Sequence, residues 1–86
     1  MTYPEQYKTE LFKTLDALDL GKVNEAINWL RSARDEGRRI FVCGNGGSAS
    51  TASHFACDMV KGASFNRPSR FKIMALTDQL PTITAY

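Results

Sequence analysis

The stretch Val42-Cys43-Gly44-Asn45-Gly46-Gly47-Ser48-Ala49-Ser50 is the part of this chain best suited to hold a ligand. Its glycines let the backbone turn sharply and bring N–H groups close to a bound molecule. A helix starting near Ser48 would have free amides at its mouth and a positive dipole end there. Ser48 and Ser50 add hydroxyls. A phosphate or an oxygen-rich sugar matches such a loop. No lysine lies in it, so it is not a Walker A sequence. Two other readings remain open. One is a plain tight turn with Ser48 capping the helix. The other is dinucleotide binding, because Gly44-x-Gly46-x-x-Ala49 fits the relaxed fingerprint. The ribose-binding acid of that fingerprint is expected about 20 residues on. Here the acid that ends the second strand is Asp78, 34 positions after Gly44.

His54 and Asp58 stand four apart, so on a helix they share a face. An imidazole and a carboxylate so placed can bind a divalent metal or move a proton. They can equally be a surface pair, or His54 can be a satisfied core histidine. Two ligands leave a zinc shell incomplete. Leu76-Thr77-Asp78 should close a strand. Ligands of open α/β sheets lie at the carboxyl ends of strands. Thr77 and Asp78 can therefore bond sugar hydroxyls there, or Asp78 can cap the helix that Pro81 begins or close a turn.

These residues need elements to position them. Thr2 and Glu5 form a capping box, and Tyr7, Leu11, Leu15 and Leu18 make one apolar stripe widened by Phe12. A first helix is expected from Tyr3 to Leu20, stopped by Gly21. A second should run from Lys22 to Glu36, burying Val23, Ala26, Ile27, Leu30 and Ala33 and ending at Gly37. Trp29 lies off that stripe, either as a partly exposed packing residue or in a subunit contact. Arg39 to Cys43 reads as a short buried strand. A third helix should reach from Ser48 to Lys61 or Gly62, with Ala49, Ala52, Ser53 and Ala56 as a small-residue face. Phe71 to Leu76 is a second strand. Strand–helix–strand of this kind implies a parallel crossover.

The fold class is therefore α/β, with a helical pair over residues 1–37 and a β-α-β unit over 38–86. Two parallel strands do not make a sheet covered on both faces. The chain is expected to be cut short, or to complete itself by association. Its net charge of +2 does not argue for nucleic acid. The densest basic stretch, Arg31, Arg34, Arg38 and Arg39, reads as a solvated helix face and a strand entry, or else as a site for an anionic partner. No apolar run approaches membrane-spanning length, and no membrane partner is expected. Cys43 and Cys57 fit no zinc or redox spacing, and a reducing cytoplasm is the expected location.

Cys43-Gly44-Asn45-Gly46-Gly47-Ser48-Ala49, Ser53-His54-Phe55-Ala56, Arg67-Pro68 and Ala75-Leu76-Thr77-Asp78 together resemble the sugar isomerase (SIS) domain of phosphoheptose isomerases. The resemblance covers nearly the whole chain. It implies a SIS-type parallel sheet between helices, of which this chain holds the first β-α-β unit, and a homo-oligomer with sites between subunits. It implies aldose–ketose isomerisation of sedoheptulose 7-phosphate, with zinc. By motif, Asn45, Gly46 and Gly47 would contact the sugar phosphate, with Ser48 nearby, and Thr77 and Asp78 would contact it too. His54 would be a zinc ligand. Asp58 would take the place of a glutamate that binds metal and acts as catalytic acid and base. Asp58 is one methylene shorter than that glutamate. The family's Ser/Thr-rich phosphate loop and its later Gln and His ligands fall beyond Tyr86, so part of a site is expected here, inactive by itself. Relatives that bind sugar phosphates without catalysis lack the acid; Asp58 keeps one, which favours the enzyme.

Overall fold

The computed structural model describes residues 1–86. Helices α1 (Tyr3–Asp16) and α2 (Leu20–Asp35) lead into strand β1 (Arg39–Val42). Helix α3 (Gly47–Cys57) continues as a π-helical turn over Asp58–Gly62. Strand β2 (Lys72–Ala75), a 3-10 turn (Leu76–Asp78) and α4 (Leu80–Thr84) complete the order. The mixed helix–strand class and the parallel crossover agree with the sequence. No helix is long and apolar enough to cross a membrane.

Local chemistry explains most boundaries. The capping box forms as expected: Thr2 Oγ1 accepts from the Glu5 amide at 3.4 Å, and Glu5 Oε2 accepts from the Thr2 amide at 2.7 Å. The break between α1 and α2 falls earlier than expected. α1 ends at Asp16, and Asp19 caps α2 by accepting from the Lys22 amide at 3.2 Å. A carboxylate able to satisfy an orphan amide fixes a helix start more firmly than a nearby glycine fixes a stop. Gly21 is consequently an ordinary residue in the first turn of α2. Gly37 does end α2, with φ of +67°. The Arg38 amide reaches the Ala33 carbonyl at 2.8 Å and the Gly37 amide reaches that of Arg34 at 3.2 Å, a Schellman closure.

β1 and β2 pair in parallel, with Arg39 opposite Lys72, Ile40 opposite Ile73, Phe41 opposite Met74 and Val42 opposite Ala75. One face of this sheet packs on α3. The buried apolar residues are Ala52, Ala56, Phe71, Ile73 and Ala75, with half-buried Leu30, Ile40, Val42 and Met59 against them. Ala75 is 1% exposed because α3 offers it alanines and can lie close. The other face is bare: Phe41 and Met74 are open beside Arg39 and Lys72.

The helical pair behaves differently from its pattern. α1 buries nothing, and Tyr7, Leu11, Phe12, Leu15 and Leu18 are all exposed. α2 touches the core only through its last turns, where Leu30 packs and the Arg34 guanidinium lies over the Phe71 ring. Val23 and Ile27 are exposed, and Trp29 is 69% exposed. A four-residue strand offers too little surface to cover a 16-residue helix. The radius of gyration, 16.9 Å, reflects this extension. A compact chain of this length would have about 12 Å.

Two turns around α3 depart from the expected single helix. At Asp58 the hydrogen-bond step lengthens, and the Ala63 amide reaches the Asp58 carbonyl at 2.9 Å. Ser64 then anchors the return loop. Fully buried, it donates to the Met59 carbonyl at 2.7 Å and accepts from the Phe71 amide at 3.0 Å. The basic stretch finds local partners, with Arg34 on Asp35 and Arg38 on Glu36.

Candidate functional site

The glycine loop joins the end of β1 to the mouth of α3, where the sequence puts it. Its glycines have different reasons to be there. A Cβ on Gly44 would overlap the backbone carbonyl of Ser48. Gly46 has φ of +56°, which L residues adopt only under strain. Gly47 has neither constraint: its φ is ordinary, and nothing lies within 4 Å of where its Cβ would be. Folding alone does not require glycine at position 47.

Ser48 stitches the loop together. Its Oγ accepts from the Asn45 amide at 2.7 Å and donates to the Asn45 carbonyl at 2.8 Å. The amides of Ser48, Ala49 and Ser50 reach back to the carbonyls of Asn45 and Gly46. The convergence of amides expected from Gly44 to Ser50 is therefore narrower than the sequence suggested. The Gly46 and Gly47 amides have no partner in the chain, and both residues are exposed. These two donors at a helix mouth can meet an anion or a polarised oxygen. The Ser48 hydroxyl makes both of its hydrogen bonds within the turn.

His54 and Asp58 meet on the exposed side of α3. His54 Nδ1 lies 3.1 Å from Asp58 Oδ2, and the side chains are 79% and 63% exposed. A proton on Nδ1 then points at the carboxylate and leaves Nε2 facing outward. This is the arrangement in which a carboxylate orients a metal-binding imidazole. Asp58 can instead present its second oxygen to a ligand. Ser50, Thr51 and Phe55 line an open depression with the pair. No group of three or more His, Cys, Asp or Glu side chains converges here. His54 and Asp58 are donors of the kind zinc takes, and two of them do not fill a zinc shell.

Thr77 and Asp78 sit in the 3-10 turn after β2, next to α3. A second open depression brings Thr77 together with Ala49, Ser50, Ser53, His54 and Cys57. Asp78 does not cap α4; the residue before that helix is Gln79, and its side chain makes no cap. The Asp78 carboxylate accepts from Ser53 Oγ at 2.6 Å. Thr77 Oγ1 is 3.1 Å from Ser53 Oγ and 3.3 Å from the Ala49 carbonyl. Ser53 is the residue that sequence reasoning passed over. Its alternation with alanines marked it as a packing residue, and a partner 25 positions away leaves no periodic signal.

Residues 3–86 match the SIS domain family. A phosphoheptose isomerase of Synechocystis sp. is 31% identical over 81 residues, or 94% of this chain and 41% of that protein. One of Thiobacillus denitrificans is 36% identical over 73 residues, or 83% of this chain and 36% of the relative. One of Coxiella burnetii is 47% identical over 47 residues, or 55% of this chain and 23% of the relative. The chain spans less than half the length of these relatives. No solved structure gives a significant match. With nearly its whole length matched, the chain belongs to the SIS domain family.

Proposed function

We propose that this chain forms one wall of the sugar-phosphate site of an isomerase that interconverts sedoheptulose 7-phosphate and an aldose heptose 7-phosphate. The observation that carries this reading is the unpartnered amide pair of Gly46 and Gly47, the second of which is a glycine that folding does not demand. Asn45, Gly46 and Gly47 bind substrate oxygens. Thr77 and Asp78 take hydroxyls at the carboxyl end of β2. Asp58 removes the proton from one carbon of the substrate and returns it to its neighbour. His54 would hold zinc, with Asp58 close enough to share that role. Zinc, when bound, supplies polarisation of the substrate oxygens at the reacting carbons.

The rest of the site comes from outside these residues, and the chain alone is inactive. The α1 stripe and the bare sheet face support a homo-oligomer, since apolar patches of this kind mark contact surfaces. A cytoplasmic location suits two exposed free thiols.

The test is titration of the complete protein with sedoheptulose 7-phosphate. Gly47→Ala should keep its thermal stability and lose affinity about tenfold, the order expected when close approach of a donor is blocked. Wild-type affinity in that variant would remove the loop from the site. Asp58→Asn should bind the sugar phosphate and fail to convert it.

A further inference from the structure

The contact between Ser53 and Asp78 belongs neither to the core nor to the turn chemistry of the loop. Asp78 is exposed, at the end of a short turn, and the one thing holding its side chain is Ser53 Oγ at 2.6 Å. Ser53 is half-buried on α3, so its hydroxyl is fixed by the helix. Proton counting sets the direction. Ser53 has one proton, and the carboxylate is the stronger acceptor. The Thr77 proton is then left for Ser53 Oγ or the Ala49 carbonyl. Asp78 Oδ1 is thereby occupied, while Oδ2 has no partner in the chain. Ser53 also directly precedes His54.

We infer that Ser53 is a positioning residue for the substrate: by clamping Asp78 Oδ1 to α3, it holds Oδ2 at a fixed place relative to the His54–Asp58 pair, ready to accept from a hydroxyl of the sugar. This rests on the sugar-phosphate reading above. One rigid helix then carries the metal- and proton-handling side chains and the anchor of the hydroxyl acceptor. The clamp acts on where the polyol lies, not on the carbon proton, so it belongs to binding more than to turnover.

The experiment compares wild type, Ser53→Ala, Ser53→Thr, Asp78→Asn and the Ser53→Ala/Asp78→Asn double variant in the complete protein, with sedoheptulose 7-phosphate. Ser53→Ala should raise KM about tenfold, as for loss of a hydrogen bond to a charged group, and change kcat less than about twofold. Ser53→Thr, which keeps the hydroxyl, should restore KM to within about twofold of wild type. The double variant should bind no more weakly than Asp78→Asn. Additive losses, or a wild-type KM in Ser53→Ala, would overturn the inference. If the wild type is inert towards the sugar phosphate, the isomerase reading falls, and hydrogen exchange of the Gln79 amide still decides the clamp. That amide closes the 3-10 turn on Leu76. Faster exchange in Ser53→Ala supports the clamp, and unchanged exchange refutes it.

Discussion

The helical pair and the β-α-β unit of this chain show opposite relations between pattern and packing. α1 carries an apolar stripe with a complete capping box, and it buries no residue. α3 has a weak pattern of small residues, and it supplies two of the buried alanines, Ala52 and Ala56. Periodicity specifies a helix and the face it would bury; it does not supply the surface that covers that face. Small residues do the reverse, because they let backbones approach and make a core from little volume. Where the partner surface lies within the chain, a modest pattern suffices. Where it does not, even a strong one stays bare.

That contrast can be broken by substitution. Gly44→Ala should have the largest effect, lowering the stability of the β-α-β unit by about 3 kcal/mol, because a methyl group would have to displace the Ser48 backbone. Ile73→Ala, in the centre of the small core, should cost about 2 kcal/mol in urea unfolding. Thr2→Ala removes the α1 cap and should cost about 1 kcal/mol of helix stability, seen as lost far-ultraviolet ellipticity with the sheet intact. Leu11→Ala in the exposed stripe should change chain stability by less than about 0.5 kcal/mol. A loss at Leu11 as large as that at Ile73, measured at a dilution where copies do not associate, would mean that the stripe is covered within the chain itself and the contrast false. Sedimentation sharpens the same point: Leu11→Asp with Leu15→Asp should reduce self-association and leave the β-α-β unit folded.

The features legible in the sequence were those set by close neighbours. Thr2 with Glu5, Gly37 at a helix end, Pro81 in a first turn and the Gly44–Gly47 loop all act within a few residues. The α1–α2 break was misplaced by a few positions because two local signals competed, and Asp19 outweighed Gly21. The bare faces of α1 and α2 were not legible, since the pattern that predicts burial is the same whether or not a partner surface exists. The Ser53–Asp78 bond depends on parallel pairing that brings the end of β2 alongside α3. The π turn at Asp58 has no compositional mark. Within the loop, glycine spacing was readable, while the division into two structural glycines and one unconstrained one depends on what packs around each Cα, which spacing does not carry.

The long axis of the molecule, 49 Å against a shortest extent of 23 Å, has a practical consequence. Friction grows with asymmetry, so a single copy drifts more slowly than a sphere of equal mass. A gel-filtration column calibrated with round standards would assign it too large a mass, which blurs the line between one copy and two. Methods that weigh particles independently of their outline are the ones to trust for counting copies.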